Sequence, residues 1–468
     1  MKILCCFLFI STLWAQSPLI TNVYQRKFVS LNGKWNCIVD PYECGYYDYR
    51  REPFDRRQEP PKEAFFMNAI PKNKIELIEY SFDKSETLLV PGDWNSQSEK
   101  LLYYEGTIWY RRLFDVCKQS HKRYFLYFGA INYETIVYLN GKRLGSHVGG
   151  FTPFNYEIPD SLLREKGNFL VLKVDNTRKA ESVPTLQTDW WNYGGITRDV
   201  LLLEMNETFI QDFYLQLSKG SLSQAEGWVQ LNGSRKKQKI KICIPELNIL
   251  HLANSDSNGL ATYKIELKRP VLWTPHNPKL YEVIITAETD QISDLIGFRT
   301  IETQGTEILL NKKPIFLRGI CIHEEIPHRK GRAYSREDAQ LLLGWAKELN
   351  CNFVRLAHYP HNEHMVRLAD ELGLLVWEEI PVYWTIQWEN SETLKNAKTQ
   401  LNDVITRDKN RASVIIWSVA NETPVTPHRL IFLKELISYV RLKDGARLVS
   451  AAMEVELSKR KRKCFSCS

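Results

Sequence analysis

The sequence predicts a multidomain protein of the β plus α/β class. We expect a jelly-roll β-sandwich, then an immunoglobulin-like β-sandwich, then an incomplete (β/α)8 TIM barrel. Three observations predict this order. The chain has 468 residues, enough for roughly two to four domains. Its hydrophobic content of 44% is typical of chains with well-packed cores. Short strand-like runs fill the first two thirds, and strand-like and helix-like runs alternate in the last third.

Residues 22–205 read as the jelly-roll domain. Runs such as "GTIWYRRLF", "TIVYLNGKRLG" and "NFLVLKVDN" are apolar or alternate between apolar and polar residues, which predicts strands. The pairs Asn32–Gly33 and Asn140–Gly141 predict tight turns. The polar stretch "YRREPFDRRQEPPKEAFF" predicts a long surface loop that interrupts the strands.

Residues 206–303 read as the second sandwich. The segments "FIQDFYLQL", "GWVQL", "KIKICIP", "TYKIELK" and "LYEVIITAE" predict strands, and about 95 residues of short strands suit an immunoglobulin-like fold.

Residues 304–453 read as part of a TIM barrel, because strands alternate with helices. "NFVRLA" precedes "NEHMVRLADELG", and "SVIIWSVANE" precedes "PHRLIFLKELISYVRLKD". Ser335 is the expected N-cap of the first helix, with a buried face formed by Leu341, Leu342, Trp345 and Leu349. No glycine-rich phosphate loop occurs, which favours a barrel over a doubly wound sheet. The segment holds about five strand–helix units, fewer than the eight of a complete barrel.

The two ends of the chain have their own character. Residues 1–15 read as a signal peptide, with Lys2 before a short apolar run, so we expect a secreted or periplasmic protein. Residues 454–468 read as an aberrant basic tail that contains the run "KRKRK", five consecutive positive charges in a chain of net charge +7. No basic stripe with interleaved aromatic residues predicts nucleic-acid binding, and no run is long enough to span a membrane.

Cysteine and histidine spacings predict neither a cofactor nor a metal. The six cysteines outside the two ends are scattered, although a Cys37–Cys44 bridge stays open. "HYPHNEH" places three histidines at three-residue spacing, but Pro360 interrupts any helix there.

Polar residues collect where the predicted barrel strands end. His323 follows the first strand, His358 the second, Glu378 and Glu379 close the third, and Asn421–Glu422 close the fourth. In a βα barrel the active site lies at the carboxyl ends of the strands, so these side chains should share one rim.

These residues stand inside motifs that carry a family resemblance. "LNGKW", "VPGDW", "DWWNYGGITRDV", "LWTPHNPKLY", "VRLAHYP", "DELGLLVWEE" and "SVIIWSVANE" occur in the order of glycoside hydrolase family 2, and the chain resembles that family. The likeness is nearest to its β-glucuronidases, beside its β-galactosidases and β-mannosidases. The resemblance implies a retaining exo-β-glycosidase of terminal β-glycosides, foremost β-glucuronides, with a carbohydrate partner and a possible homo-oligomer.

The resemblance also assigns roles. Glu422 corresponds to the catalytic acid/base, and Asn421 to the residue that binds the sugar 2-hydroxyl. His323, His358 and Asp189 of "DWW" correspond to substrate-binding residues, and a structural role is the alternative for each of them. Glu378 and Glu379 are expected either to support neighbouring site residues or to be solvated charges.

The second carboxylate of a retaining pair is missing from this reading. In the family the nucleophile closes the seventh strand, about 90 residues beyond Glu422 at about 30 residues for each unit, whereas 46 residues follow. The acids left as candidates are Glu435, Asp444, Glu454 and Glu456. We therefore expect a truncated chain of doubtful activity. Two alternatives stay open: a β-galactosidase of the same family, and a non-catalytic carbohydrate-binding remnant.

Overall fold

The structure is a computed structural model that describes residues 17–71, 73, 75–76 and 78–453. The expected signal peptide and the basic tail lie outside the described residues.

The first domain is a sandwich of two antiparallel sheets. A six-stranded sheet of order β3-β2-β4-β9-β6-β7 faces a four-stranded sheet of order β1-β10-β5-β8. Trp35, Tyr110 and Leu202 belong to the apolar core between the sheets. The elements are β1 Phe28–Ser30, β2 Gly33–Val39, β3 Glu86–Val90, α1 Trp94–Gln97, β4 Thr107–Phe114, β5 Lys122–Phe128, β6 Glu134–Leu139, β7 Lys142–Val148, β8 Phe154–Ile158, β9 Asn168–Asp175 and β10 Val200–Asn206.

The two Asn-Gly pairs have different tasks. Asn140–Gly141 closes the β6–β7 hairpin with φ of 50° and 79°, the left-handed backbone that such a turn requires. Asn32–Gly33 instead joins β1 to β2, which lie in different sheets. The same dipeptide therefore makes a hairpin at one site and a corner of the sandwich at the other.

The long polar stretch between β2 and β3 is more than a surface loop. Phe54, Phe65 and Phe66 are buried and pack with Trp109 and Tyr138 of the six-stranded sheet. Its charged side chains lie at the surface as expected, except that of Asp55, which is 4% exposed and accepts from Tyr138 and Arg143. The aromatic residues anchor the segment to the outer face of the sheet, which the polarity of the stretch conceals.

The second domain is a sandwich of a three-stranded and a four-stranded antiparallel sheet, ordered β11-β12-β15 and β14-β13-β16-β17. Along β12 buried and half-buried residues alternate, the period of a strand with one face in a core. The strands are β11 Phe209–Leu217, β12 Gln224–Asn232, β13 Lys239–Ile244, β14 Ile249–Asn254, β15 Leu260–Glu266, β16 Tyr281–Thr286 and β17 Gln291–Ile296.

A small antiparallel sheet connects this sandwich to the barrel. It consists of β18 Ile301–Gln304, β19 Glu307–Leu310 and β20 Lys313–Pro314. Its residues Ile301 and Leu310 pack with Leu375 and Ile415, which lie near the starts of two barrel strands. The small sheet therefore lies at the amino-terminal end of the barrel strands.

The third domain is the wall of a TIM barrel. Its described strands form one parallel five-stranded sheet in strict chain order, with a helix between each pair of strands. A doubly wound sheet would reverse its strand order, so the expected barrel is confirmed. The elements are β21 Gly319–Ile322, α2 Arg336–Glu348, β22 Phe353–Leu356, α3 Glu363–Leu372, β23 Leu375–Glu379, α4 Ser391–Asp408, β24 Val414–Asn421, α5 Pro427–Lys443 and β25 Leu448–Ala452. None of the described helices is long and apolar enough to cross a bilayer.

Helix α2 begins as expected but turns a different face inward. Ser335 forms a capping box with Asp338. The Ser335 side chain accepts from the backbone N–H of Asp338, and the Asp338 side chain accepts from the backbone N–H of Ser335. The buried face is Ala339, Leu342, Leu343 and Ala346. Trp345 is 39% exposed and Leu349 is 65% exposed, so the predicted face was wrong for these two residues. The small alanines permit close packing, which a reading based on large side chains overlooks.

Candidate active site

Four strands bring polar residues to one rim of the barrel wall. His323 follows β21, His358 lies two residues beyond β22, Glu379 ends β23, and Asn421 ends β24 directly before Glu422. Parallel strands present their carboxyl ends at one edge.

Glu422 is exposed at the end of a fully buried strand. Its backbone is left-handed, with φ of 47°, and its N–H donates to the carbonyl of Ala452 at 2.7 Å. Its Oε2 accepts a hydrogen bond from the indole N–H of Trp384 at 3.2 Å. Within the described part of the chain Glu422 forms no ion pair, so no cation holds the carboxyl group away from a ligand.

Asn421 is buried and fixed from both sides. Its Oδ1 accepts from Arg355 at 2.6 Å, and its backbone N–H donates to Val382 at 2.9 Å. Its Nδ2 has no partner among the described residues. An unpaired buried amide donor is costly, so a ligand acceptor at this position would recover a hydrogen bond.

Arg355, His358 and Glu379 form a bonded cluster beneath the rim. Arg355 donates to both carboxylate oxygens of Glu379 at 2.9 and 3.0 Å, and Nδ1 of His358 lies 2.8 Å from that carboxylate. A carboxylate at this distance favours the tautomer with its proton on Nδ1. Nε2 of His358 is then an acceptor for a ligand.

His323 lies beside His358, with 5.3 Å between their ring centroids. Burial, and then the nearby His358, lower the pKa of His323 below its usual value. We therefore expect a neutral imidazole at pH 7, which can both accept and donate a hydrogen bond.

Asp189 reaches this rim from the first sandwich. It lies in the segment between β9 and β10, and its carboxylate and one nitrogen each of His323 and His358 all lie within 4.8 Å of one another. The structure thus brings the predicted Asp189 together with both predicted histidines. Among the residues that the structure describes, these three have donor atoms close enough together to hold a cation, although the sequence predicts no metal.

The other two histidines of "HYPHNEH" do not join that set. His361 is buried and its Nε2 bonds to the carbonyl of Ala357 at 3.1 Å, whereas the ring of His364 lies tilted against that of Tyr24, with 4.9 Å between the centroids. The open question of a Cys37–Cys44 bridge is answered in the described chain, where both cysteines are free.

Aromatic residues that the sequence analysis did not select connect the first sandwich to the barrel side of the rim. Trp190 and Tyr383 have ring centroids 5.0 Å apart, Tyr383 is also 5.0 Å from His358, and Trp384 is 4.6 Å from Tyr383. Tyr383 and Trp384 lie four and five residues beyond the end of β23 at Glu379, in the loop that follows a predicted strand end. That position was the available signal.

Two other acids near the strand ends are held by arginines. Glu324 contacts Arg198 and Arg332, and Glu378 contacts Arg407. Burial, and then the nearby Asp408, raise the pKa of Glu378 well above its usual value. The prediction that Glu378 and Glu379 support neighbouring residues agrees with these contacts.

The candidate second acids do not face Glu422 within the described chain. Glu435 lies on the outer helix α5 and pairs with Lys398. Asp444 is buried before β25, at the opposite end of the strands, where it binds Trp417 and Arg447. Glu454 and Glu456 lie outside the described residues.

Two β-sandwiches followed by a βα-barrel wall, with an amide–acid pair on its rim, define the class of multidomain glycoside hydrolases. Known families agree with this order. "Glycosyl hydrolases family 2, sugar binding domain" matches residues 28–206, "Glycosyl hydrolases family 2" matches residues 208–299, and its "TIM barrel domain" matches residues 301–466. The chain belongs to glycoside hydrolase family 2.

Individual relatives point to two activities. The chain is 30% identical over 416 residues to a β-galactosidase of Thermoanaerobacterium thermosulfurigenes, covering 84% of this chain and 54% of the relative. It is 29% identical over 406 residues to a β-glucuronidase of Paenibacillus borealis, covering 76% and 65%. The solved β-glucuronidase of Ruminococcus gnavus has a TM-score of 0.76 at 26% identity, over 93% of this chain and 74% of that chain. The chain spans about half the length of the first curated relatives it matches.

Proposed function

We propose that this protein is a retaining exo-β-glycosidase that acts on terminal β-glucuronides, with Glu422 as its acid/base. One observation carries the proposal. Glu422 is exposed at the end of β24 and pairs with no cation among the described residues, while Asp189, His323 and His358 converge on the same rim.

Glu422 acts first as an acid and then as a base. Its carboxyl proton passes to the glycosidic oxygen as the bond to the anomeric carbon breaks, while a second carboxylate about 5–5.5 Å away attacks that carbon. Glu422 then removes a proton from the water that releases the sugar. The indole N–H of Trp384 holds the carboxyl group in one orientation during both steps.

The neighbouring residues bind the sugar hydroxyls. The unpaired Nδ2 of Asn421 suits the 2-hydroxyl oxygen, a contact that strengthens in the transition state. Neutral His323 and the free nitrogen of His358 suit further hydroxyls, and the carboxylate of Asp189 accepts from them. The Arg355–Glu379 pair keeps Asn421 and His358 in place.

We infer that the nucleophile is an acid other than Glu435 and Asp444. Neither Glu435 nor Asp444 lies at the rim. A carbohydrate-binding protein without catalysis is therefore the second candidate function, and the sugar contacts proposed above are sufficient for it. Turnover distinguishes the two functions, whereas sugar binding is common to both.

Preference for glucuronides rests on the Paenibacillus and Ruminococcus β-glucuronidases, and the β-galactosidase relative supports the alternative. We propose to titrate purified chain with D-glucuronic acid and with D-galactose, and to measure nitrophenol release from both nitrophenyl β-glycosides. Tighter binding of glucuronic acid, lost in an Asn421→Leu variant, is the expected result. Binding of neither sugar would refute the proposal.

A Glu422→Gln variant tests the catalytic half. If the chain hydrolyses the β-glucuronide, we expect this variant to lose at least about a hundredfold of kcat, the scale of general acid–base catalysis. Glu371→Gln, a charge change on the outer helix α3, is the matched control. Equal turnover by the two variants would exclude Glu422 as the acid/base.

We also propose export of this protein, to the medium or the periplasm, on the basis of residues 1–15. Fractionation of cells that express the tagged full chain tests this: recovery in the cytoplasm with residues 1–15 still attached would contradict it.

We also propose that the protein forms a homo-oligomer. Light scattering of purified protein tests this proposal.

A further inference from the structure

Two exposed aromatic rings lie next to the candidate active site. Tyr103 is 81% exposed and Trp191 is 39% exposed, and their ring centroids are 5.6 Å apart. Trp191 directly follows Trp190, whose ring centroid lies 5.9 Å from that of His358. Consecutive Cα atoms are about 3.8 Å apart, so the backbone of Trp191 directly adjoins that of Trp190, and the exposed pair extends from the segment that contributes Asp189 and Trp190 to the rim.

The two loops that carry these rings are held by one buried side chain. Nδ2 of Asn95 lies 2.9, 3.1 and 3.2 Å from the carbonyls of Leu101, Leu102 and Tyr104, on both sides of Tyr103. Oδ1 of Asn95 accepts from the N–H of Gly194 at 2.8 Å. The pair is therefore fixed before any ligand arrives.

Gly194 shows how closely the loops approach. A Cβ at this position would lie 2.1 Å from the indole of Trp94, so only glycine fits. The indole N–H of Trp94 in turn donates to the carbonyl of Tyr104 at 3.2 Å. Trp94, Asn95 and Gly194 are therefore all needed to position two rings that remain exposed to water.

An ion pair begins two residues beyond Tyr103, at Glu105. Arg178 and Glu105 make contacts of 2.7 and 3.3 Å, and both side chains are about one third exposed. Arg178 also donates to the carbonyl of Leu186 at 3.1 Å. The surface therefore combines a flat apolar area with fixed donors and acceptors at its edge.

We propose that Tyr103 and Trp191 form a stacking platform for a second sugar ring, on the leaving-group side of the bond that is cleaved. The inference rests on the proposed function of the rim. The C–H face of a pyranose packs on an aromatic ring, and its hydroxyls then reach the Glu105–Arg178 pair. The substrate class is a β-linked disaccharide or oligosaccharide rather than a glycoside of a simple alcohol.

Binding of three probes to the full chain tests the platform. The probes are methyl β-D-glucuronide, phenyl β-D-glucuronide and a sulfur-linked β-glucuronosyl disaccharide that resists hydrolysis, each measured by calorimetry. We expect the disaccharide to bind about tenfold more tightly than the methyl glycoside. Tyr103→Ala and Trp191→Ala should each lower the affinity for the disaccharide about fivefold, which is the scale of one aromatic contact. Neither variant should change the affinity for the methyl glycoside.

The controls separate the outcomes. Tyr42→Ala removes an equally exposed tyrosine, 82% exposed, from the loop that precedes β3, and should change nothing. Because Tyr103 is almost fully exposed, its variant should fold even if Trp191→Ala does not. Equal affinity for the methyl glycoside and the disaccharide overturns the platform, and a gain confined to the phenyl glycoside overturns its assignment to sugars. Binding of no probe overturns the sugar site and the platform with it.

Discussion

Replacement of Glu324 by Gln tests how the barrel rim is joined to the first sandwich. Glu324 directly follows His323 and is fully buried. Its carboxylate accepts from Arg198 of the sandwich at 3.1 and 3.3 Å and from Nδ2 of Asn362 at 2.9 Å, and Arg332 contacts the same carboxylate. A neutral amide in its place leaves two buried guanidinium groups short of a counter-charge.

The pKa of Glu324 sets the size of the effect. Burial alone would raise this pKa, but the charges of Arg198 and Arg332 outweigh burial and lower it from 4.5 to about 2. That difference corresponds to about 3 kcal/mol of stabilisation of the folded state at neutral pH. Breaking a buried ion pair costs about 3–5 kcal/mol in general. We expect Glu324→Gln to lower the free energy of unfolding by about 3 kcal/mol at pH 7.

The effect has a defined pH dependence. The folded pKa lies below the unfolded pKa, so the stabilisation is complete above about pH 5 and is lost as pH falls towards 2. Glutamine does not titrate. The difference between wild type and variant should therefore be about 1 kcal/mol smaller at pH 3.5 than at pH 7.

Urea unfolding followed by tryptophan fluorescence at both pH values measures these differences. Glu371→Gln is the matched control, because Glu371 also pairs with an arginine, Arg336, but at the surface. We expect that control to cost less than about 1 kcal/mol. A loss below about 1 kcal/mol for Glu324→Gln at pH 7, or a loss that does not shrink at low pH, would refute the reasoning.

Three further changes have definite expected outcomes. Gly344→Ala in helix α2 should stabilise the protein by about 0.5–1 kcal/mol in urea unfolding, because no atom lies within 4 Å of the new Cβ and alanine favours a helix. Burial raises the pKa of Asp403 from 3.8 to about 7, so its ionisation opposes folding as pH rises. Asp403→Asn should therefore stabilise by about 2 kcal/mol more at pH 8 than at pH 5, and an equal effect at both would contradict this. Arg355→Lys should weaken binding of D-glucuronic acid about tenfold in calorimetry, because a lysine cannot hold Glu379 and Asn421 together. Unchanged affinity would show that this orientation is unimportant.

Local sequence patterns predicted those rim residues that stand at or directly after the end of a barrel strand. Asn421 and Glu422 close an apolar run, and a parallel strand that ends in polar residues points them at the rim. His323 and His358 followed from the same reasoning. The β-strand period and the Ser335 cap are equally local, since each depends on residues within one turn or one strand.

Contacts between distant parts of the chain were beyond such patterns. Asp189 meets His323 and His358 although the segment between them contains an entire second sandwich. Nothing in the spacing of these residues encodes that approach. The aromatic anchors of the loop before β3 are a similar case, because polarity predicts exposure and only the packed structure shows Phe65 against Trp109.

The first sandwich is therefore part of the rim and not an appendage. It supplies Asp189 and Trp190 to the rim, and its Arg198 binds the residue next to His323. Any change that loosens this interface should displace Asp189 from the histidines before the barrel wall itself unfolds. Glu324→Gln should consequently weaken sugar binding at urea concentrations where the helices of the barrel are still intact. Loss of binding and loss of helical circular dichroism at the same urea concentration would instead show that sandwich and barrel unfold as one unit.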